Sequence, residues 1–365
     1  MNELPTHFSL PVAELSVVVP VLDEATTLPE LFATLARQEG VVLEVIIVDG
    51  GSGDGTPDLA LRLAADFSLP VRLLAAGGGR PGQLNAGAAA ATAATLLFLH
   101  ADAELPDPAA LRTGLDQLAA ALAARGDDPT AGHFTLRFRR TDPSPSLAYA
   151  FYEAKARLDR PGCTHGDQGL LLRRSFFARI GPFELSLPML AETRLAERIR
   201  REGEWLLLSP EIRTSARRFE AEGLRQRQTL NACLQACAAI DRGEFIAALP
   251  APYRSQGEAG QLRLRPYLES FARSIRALPA KERRRFWAEI GGYVRANAWQ
   301  LAFRVDVRRA FLLGEELRED EAHLLRFYDR YLERLTDHPP GRAVATLLVW
   351  LWFRVSLFRE KEKCG

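Results

Sequence analysis

Leu96–Pro106, LLFLHADAELP, is the stretch that decides the fold of this chain. Four apolar residues run into His100, Ala101 and Asp102, and a proline closes the run. A short apolar run that ends at a turn signal is typical of a buried parallel strand. Because ligands bind at the carboxyl edge of open parallel sheets, Asp102 is a candidate metal ligand or catalytic group.

Strand and helix patterns alternate through the first hundred residues. The predicted strands are Leu15–Val21, Leu43–Val48, Val71–Leu74 and the run that begins at Leu96, and the predicted helices cover 28–38, 56–67 and 83–94. Such alternation predicts an α/β fold, in which helices cover the faces of a mostly parallel sheet.

Carboxylates follow three of these strands, at Asp23 and Glu24, at Asp49 and at Asp102. A single aspartate after a strand is more often a turn residue or a helix cap. Parallel strands share one carboxyl edge, however, so we expect these acidic residues to converge in one crevice.

The pattern changes along the rest of the chain. Helices are predicted at 108–125, 146–158, 174–180 and 191–201. Strands are predicted at 133–138 and 205–208, and Gly166–Leu172 leads into another strand. After about residue 240 only helical periods remain, at 262–277, 280–312, 319–335 and 342–358. We therefore expect an α/β domain over 1–240 and an all-helical extension over 241–365, with 257–260 as a boundary loop.

Composition excludes several classes of protein. The net charge of +1 gives no bulk attraction to nucleic acid. The four cysteines lack CxxC spacing, which favours free thiols in a reducing cytosol over disulfides or a zinc site. The first residues do not resemble a signal peptide, and no apolar run reaches the roughly 18 residues of a spanning helix. We expect a cytoplasmic protein.

Two segments suit phosphate groups. Asp49–Thr56, DGGSGDGT, is a glycine-rich turn between a strand and a helix, where the backbone can approach a phosphate or a base. Its position does not fit a dinucleotide fingerprint or a P-loop, and a plain flexible turn is the alternative. Gly79–Gly87 places Arg80 and two amides at a helix start, which suits a diphosphate, although a solvated loop arginine is also open.

His100 and Asp102 are alternate residues, so they share one face if the strand continues that far. Carboxylate suits Mg²⁺ or Mn²⁺, and Mn²⁺ also accepts imidazole. A lone histidine after a strand is more often a structural residue. We therefore assign the metal to Asp102 and keep His100 as a secondary candidate.

Four segments in a fixed order resemble one family. They are VVVPVLDE (17–24), VIIVDGGSGDGT (45–56), GRPGQLNAG (79–87) and FLHAD (98–102). Together they resemble the nucleotide-binding half of a family 2 glycosyltransferase of the GT-A fold. GDQGLLLRR (166–174) and TSARRF (214–219) are similar to the bacterial radical-SAM/selenodomain-associated subgroup, which has His-Ala-Asp in place of Asp-x-Asp. The resemblance covers roughly 14–240.

This resemblance implies a role for each matching residue. Pro20, Glu24 and Asp49 would line the base and ribose pocket, and Asp54, Arg80 and Asn85 would lie near the nucleotide or diphosphate. Asp102 would hold Mg²⁺ or Mn²⁺ on the diphosphate. Gly166, Asp167 and Gln168 would form part of the sugar or acceptor side. A uridine diphosphate sugar is the family's default donor.

The family's catalytic base is the aspartate of a Glu-Asp pair at the start of a helix. The matching positions here are Ala191 and Glu192, so Glu192 is the remaining carboxylate that can accept a hydroxyl proton. This implies an inverting, metal-dependent transfer. The broken pair and His100 leave open a second interpretation, a catalytically weak or inactive regulatory module that binds a nucleotide sugar.

Two further regions bear on the acceptor. Arg217 and Arg218 lie in TSARRF and are candidates for contact with a phosphate-bearing or lipid-linked acceptor, although a solvated basic face is favoured for the arginines around them. Residues 342–358 are apolar on most sides. We expect them to pack within the protein or in an oligomer rather than against a membrane. Membrane contact, and with it a position at the inner face of the membrane, stays open.

Overall fold

Two units make up the computed structural model, which describes residues 12–126, 129–186, 189–249 and 260–362. The first unit comprises 1–137 and 164–214, and the second comprises 138–163 and 215–365. The predicted boundary loop lies mostly outside the described residues, as does Cys364. A boundary at residue 240 stays a prediction.

The sheet has seven strands. They are β1 (Leu15–Val21), β2 (Leu43–Asp49), β3 (Val71–Ala75), β4 (Thr95–Phe98), β5 (Thr130–Arg139), β6 (Leu170–Arg173) and β7 (Glu204–Ser215). Their spatial order is β3-β2-β1-β4-β6-β5-β7. The first four strands pair in parallel, whereas β6 is antiparallel to both β4 and β5. This arrangement confirms the mostly parallel α/β sheet.

Helices cover this sheet in the first unit. They are α1 (Leu28–Ala36), α2 (Thr56–Asp66), α3 (Gly79–Ala90), α4 (Ala110–Arg125), α6 (Arg174–Ile180) and α7 (Ala191–Glu202). All seven residues of β1 and all seven of β2 are buried, as expected for central strands covered on both faces. Phe98 from β4 packs edge-on against Phe183, and Leu84 of α3 belongs to the same core.

Several boundaries differ from the predictions. Helix α3 begins at Gly79 rather than at residue 83, because Gly78 adopts a left-handed backbone (φ +83°) that caps the helix. Gly166–Gln168 forms a 3₁₀ turn that leads into β6 at Leu170. Thr27 precedes α1, and its hydroxyl donates to Glu24 rather than capping the helix.

The second unit is helical. Its helices are α5 (Leu147–Lys155), α8 (Arg217–Glu222), α9 (Leu224–Ala239), α10 (Gly243–Ala247), α11 (Arg265–Ala277), α12 (Ala280–Ala296), α13 (Trp299–Leu313), α14 (His323–Phe327), α15 (Glu333–Thr336) and α16 (Pro339–Glu362). A π-helical turn, Tyr328–Leu332, joins α14 to α15. The helical extension is confirmed, but the single helices predicted at 280–312 and 319–335 are wrong because each is broken into shorter pieces.

The core of this unit joins distant parts of the chain. Leu158 and Cys163 pack in one buried cluster with Trp299, Phe303 and Val307. Phe151 of α5 adds a ring contact with Phe303 at 5.8 Å between centroids. The cysteines at 163, 233 and 237 are free thiols, as expected.

Helix α16 corrects one prediction. By length and composition Pro339–Arg359 passes the threshold for a membrane-spanning helix, although no apolar run in the sequence was expected to reach it. Only 11% of its most apolar 18-residue window is buried within the protein, and packing of 342–358 in an oligomer stays a prediction. Phe353 is the buried exception.

Candidate active site

Gln83 joins the carboxyl ends of β1 and β2. Its buried Nε2 donates to the backbone oxygens of Val21 and Val48, at 2.7 Å each. A β-carbon on Gly50 would lie 3.0 Å from the same Nε2 atom, so the chain after β2 passes directly over this amide. The first turn of α3 thus fixes the edge of the sheet from which the site is built.

The loops after β1 and β2 are tied together through Ser52. The Ser52 hydroxyl donates to Asp49 Oδ1 at 2.5 Å and accepts from the backbone N–H of Asp23 at 2.9 Å. The Asp49 carboxylate also accepts from the backbone N–H groups of Gly51 and Ser52. Asp23 adopts a positive φ (+54°) and accepts from the N–H of Gly53 at 2.8 Å. Two of the three acidic strand ends therefore meet, as expected.

Asp54 and Glu24 complete this network. Asp54 accepts from the Thr56 hydroxyl at 2.5 Å and from the N–H of Ala25 at 3.0 Å. Although desolvation opposes ionisation, these hydrogen bonds outweigh it and lower the pKa of Asp54. The N–H of Glu24 donates to the Thr56 hydroxyl, and the buried Glu24 carboxylate accepts from Thr27.

A second cluster forms where α3, β4 and α7 approach each other. His100 Nε2 lies 2.7 Å from Glu192 Oε1 and 2.9 Å from Arg80 Nη1. Arg80 Nη1 also lies 3.7 Å from Glu192 Oε2. The carboxylate of Glu192 is therefore held by two cationic side chains, although 92 residues separate it from His100.

The pKa values of this cluster follow from its charges. Burial opposes ionisation of Glu192, but the charge of His100, followed by that of Arg80, outweighs it and lowers the pKa of Glu192 to about 2. Burial also opposes a charged imidazole, yet Glu192 outweighs both burial and Arg80 and raises the pKa of His100. Nε2 of His100 therefore lies within hydrogen-bond distance of both the Glu192 carboxylate and the Arg80 guanidinium.

The 3₁₀ turn Gly166–Gln168 lies against these side chains. A β-carbon on Gly166 would be 2.1 Å from Glu192 Oε1 and 2.9 Å from His100 Nε2. Burial raises the pKa of Asp167 to about 6, despite the opposing charge of His100. Asp167 Oδ1 is buried, and no hydrogen-bond donor reaches it from the described part of the chain. It is an acceptor without a partner inside the site.

Asp102 lies in a turn rather than in a strand. Strand β4 ends at Phe98, and the N–H of Ala103 closes the turn onto the oxygen of His100. The expected shared strand face of His100 and Asp102 is therefore absent. Asp102 nevertheless interacts electrostatically with both His100 and Asp167, so the site includes it.

The remaining predicted residues have their own surroundings. Pro20 is buried in β1, paired with Val48, and Gln168 is buried in the 3₁₀ turn. The side-chain amide of Asn85 makes two hydrogen bonds with the backbone of Phe183. Its Nδ2 donates to the carbonyl oxygen at 2.9 Å, and its Oδ1 accepts from the N–H at 2.8 Å. Arg217 and Arg218 belong to the second unit, where Arg218 pairs with the buried Glu222 at 3.0 Å.

The donor set for a divalent cation is limited. Nε2 of His100 is occupied by Glu192 and Arg80, so it does not offer a lone pair to a metal in this arrangement. Within the described ranges no cluster of three or more His, Cys, Asp or Glu side chains has metal-binding geometry. Of the two predicted metal ligands, Asp102 therefore stays the candidate for Mg²⁺ or Mn²⁺, because carboxylate oxygen suits a hard divalent cation.

Three side chains have roles in the site that the sequence did not predict. Gln83, Ser52 and Thr56 shape the site through buried or partly buried hydrogen bonds. Ser52 and Thr56 lie within the glycine-rich turn that was singled out, so their hydroxyls were detectable candidates. Gln83 is one of the two amides predicted near the diphosphate, but its amide instead bonds the backbone of β1 and β2.

Sequence comparison relates this chain to transferases. Residues 16–181 match the family described as Glycosyl transferase family 2. The chain is 30% identical over 185 residues to the PGL/p-HBAD biosynthesis glycosyltransferases of Mycobacterium bovis (strain BCG / Pasteur 1173P2) and Mycobacterium tuberculosis (strain ATCC 25177 / H37Ra). The match covers 48% of this chain and 66% of each relative, so the chain spans a little under two thirds of their length.

Solved structures give more distant likenesses. Staphylococcus aureus TarS 1-349 in complex with UDP has a TM-score of 0.46 at 14% identity, with 87% of this chain and 91% of that chain covered. Mannosyltransferase PcManGT from Pyrobaculum calidifontis, in complex with GDP-Man and Mn²⁺, has a TM-score of 0.45 at 21% identity, with 95% and 87% covered. At this distance their ligands describe those proteins alone.

Proposed function

We propose that this chain, whose residues 16–181 match glycosyl transferase family 2, is an inverting glycosyltransferase that moves a sugar from a nucleotide diphosphate donor to an acceptor hydroxyl. The observation that carries the proposal is the cluster of Arg80, His100 and Glu192 beside Asp102 and Asp167. In this cluster the side chains of Arg80 and His100 lie together with the carboxylates of Glu192 and Asp167 past the end of β4.

The donor would bind over the loops after β1 and β2. Pro20, Glu24 and Asp49 are proposed for the base and ribose pocket, with Asp54 beside it. The hydrogen bonds through Ser52 and Thr56 support this role because they hold both loops in one arrangement before the ligand arrives. Arg80 is proposed to bind the diphosphate, and Asn85 positions the backbone around Phe183 from the same helix. A uridine diphosphate sugar is the first donor to test.

Asp102 is proposed to hold Mg²⁺ or Mn²⁺, which when bound would stabilise negative charge on the diphosphate. Arg80 lies close enough to share that task. Its guanidinium is 36% exposed at the side chain, and the phosphate oxygens of a donor would be stronger partners than the more distant Glu192 Oε2. His100 then keeps Glu192 in place by itself.

Glu192 is the proposed general base. It would take the proton of the acceptor hydroxyl while that oxygen attacks the anomeric carbon, and the bond from carbon to the diphosphate oxygen breaks on the opposite face. Oε1 is bonded to His100, which leaves Oε2 to accept the proton. A carboxylate with a pKa near 2 is a weak base. Asp167, with a pKa near 6, is therefore the competing candidate for the same role.

Gly166, Asp167 and Gln168 are proposed on the sugar and acceptor side. We also propose that the acceptor is lipid-linked and that Arg217 and Arg218 contact its phosphate. The proposed location is the cytoplasm, at the inner face of a membrane. Nucleic acid is not a proposed partner. Likeness to the radical-SAM/selenodomain-associated subgroup stays a prediction.

The alternative is a module that binds a nucleotide sugar and turns it over weakly or not at all. Ala191, where the resemblance implies a glutamate, favours this alternative. The pairing of Glu192 with His100 favours it as well, because the charge of His100 lowers the pKa of Glu192 and so weakens its carboxylate as a base.

A donor screen by thermal shift, with and without Mn²⁺, tests the proposal. We expect one class of nucleotide sugar to raise the melting temperature, and Asp102→Asn to lower that shift in the presence of Mn²⁺. Release of nucleoside diphosphate from the stabilising donor would show transfer or hydrolysis. Glu192→Gln should abolish release and keep binding. Loss of release in Asp167→Asn but not in Glu192→Gln would move the base to Asp167, whereas binding without release would support the module.

A further inference from the structure

The outward face of α16 is apolar over about four turns. The helix presents large side chains that are 39–61% exposed, and they are Val344, Leu347, Leu348, Trp350, Leu351, Trp352, Val355 and Phe358. At 100° per residue most of these fall on one broad face, whose charged members along this stretch are few and include Arg354. Exposed apolar patches of this extent mark a surface that contacts a partner or a membrane.

The opposite face of α16 packs on α12. Phe353 is buried and its ring lies 5.7 Å from that of Trp287. Thr346 fits against Gly291, where a β-carbon would come within 2.0 Å of the threonine hydroxyl. The helix is therefore attached along its length to a helix that carries Arg284, Arg285 and Glu289. A spanning α16 would carry these charges into the bilayer, so the geometry favours a helix that lies in the plane of the interface.

A groove of about 600 Å³ opens beside the first turns of α16, and three arginines line it. Arg295 is 13% exposed, and its Nε has no hydrogen-bond partner among the described residues. Arg342 and Arg285 are exposed by 59% and 75% and pair with Asp337 and Glu289. Gly292 lines the same groove, and a β-carbon there would meet open space. Arg295 also lies 3.4 Å from Asp337, and Glu289 lines the groove, so a headgroup phosphate would compete with these two carboxylates for the three arginines.

Charge is distributed unevenly along the chain. Residues 260–365 contain 21 of the 47 lysines and arginines but only 14 of the 46 aspartates and glutamates. The C-terminal helices are thus basic although the whole chain is almost neutral. A basic surface beside an apolar helix face with tryptophans is complementary to an anionic lipid surface rather than to a neutral one.

We propose that the outward face of α16 inserts into the interface of an anionic phospholipid membrane, and that the groove lined by Arg285, Arg295 and Arg342 binds a lipid headgroup phosphate there. The apolar side chains supply insertion, and the arginines supply preference for anionic lipid. This is a property of the helical unit, so it holds whether or not the first unit transfers a sugar.

Vesicle flotation of the full chain tests insertion. We expect binding to vesicles of phosphatidylcholine with phosphatidylglycerol, and much less to phosphatidylcholine alone. Leu348→Glu with Leu351→Glu should lower the bound fraction at least about tenfold, because two charges enter the apolar face. Leu61→Glu is the matched control, since Leu61 is 52% exposed on α2 and should bind as wild type does. Unchanged circular dichroism would show that each variant folds.

The groove is tested separately. Arg285→Gln with Arg342→Gln should reduce the preference for anionic vesicles about tenfold, whereas Arg308→Gln with Arg309→Gln, at exposed positions on α13, should reduce it much less. Equal losses in both pairs would overturn the headgroup site and leave bulk charge alone. Wild-type protein that ignores anionic vesicles would overturn the membrane proposal. So would a dimer, seen by light scattering, that Leu348→Glu with Leu351→Glu disperses, because the face would then bind a second copy.

Discussion

Gly166 and Glu192 share a space that only a glycine leaves open. A β-carbon on Gly166 would lie 2.1 Å from Glu192 Oε1, well inside contact distance. The same carboxylate oxygen is bonded to His100 at 2.7 Å, so it has little freedom to move away. The missing side chain at residue 166 therefore helps to fix the proposed base.

Gly166→Ala should displace the carboxylate of Glu192 and lower turnover about 100-fold, because a shift of around 1 Å in a reacting group has an effect of that order. The measurement is release of nucleoside diphosphate from the donor found by the thermal screen. Gly77→Ala is the control, since a β-carbon there meets open space. Similar rates in Gly166→Ala and wild type would mean that Glu192 is not the base.

Asp167→Asn should stabilise the protein at neutral pH. The folded state raises the pKa of Asp167 from 3.8 to about 6, so its neutral form is favoured by folding. That contribution is complete below pH 4 and is lost as the pH rises through about 6. A shift of about two pKa units corresponds to at most about 3 kcal/mol.

The unfolding free energies of wild type and Asp167→Asn should therefore be close at pH 4 and separate in favour of the variant by pH 7, in buffer without nucleotide or divalent cations. Glu192→Gln provides a contrast of opposite sign. Its pKa is lowered to about 2, so its contribution is present above pH 4.5 and is lost as the pH falls toward 2. If the difference in unfolding free energy between wild type and Asp167→Asn did not change with pH, the raised pKa of Asp167 would be contradicted.

Gln83→Leu should lower the free energy of unfolding by about 1–3 kcal/mol, because two backbone oxygens, those of Val21 and Val48, lose a buried donor. Chemical denaturation measures this loss. Gln117→Leu is the matched control, since the bonds of Gln117 to Ser209 are exposed and water can replace them. Equal losses in the two variants would show that Gln83 does not support the sheet edge.

Ser52→Ala should weaken binding of the donor nucleotide about fivefold, because the loops after β1 and β2 lose the hydroxyl that joins Asp49 to the backbone of Asp23. Isothermal titration calorimetry gives the dissociation constant. Ser144→Ala removes a comparable bond, to Asp142 in an exposed turn, and should leave the constant unchanged. If both variants bind alike, the loops do not need this link.

Local patterns were enough to predict most of the sheet. Strands β1 and β2 are continuous apolar runs, and their bounds match the prediction to within one residue. Strand β7 runs from Glu204 to Ser215, although only 205–208 was predicted. The prediction was short because a proline such as Pro210 usually marks the end of a strand. The break between α12 and α13 at Asn297 and Ala298 carries no proline or glycine, so a single long helix was the simpler prediction.

Tertiary structure decided the rest of the site. The spacing of His100 and Asp102 indicated a shared strand face, whereas the strand ends earlier and a turn brings them near Asp167. No local signal relates His100 to Glu192, because their contact depends on how α7 packs against the sheet. Sequence spacing also could not predict the hydrogen bond between Asn85 and Phe183, because 98 residues separate them.

The buried cluster around Phe303 determines where the protein can be truncated. Its members Leu158 and Cys163 precede the last part of the sheet in the chain, whereas Trp299 and Val307 follow it by more than 80 residues. Cutting the polypeptide at residue 240 would strip these earlier side chains of their covering and leave them in water. The C-terminal helices therefore cannot be removed without exposing part of this core. We expect a protein that ends at residue 240 to aggregate.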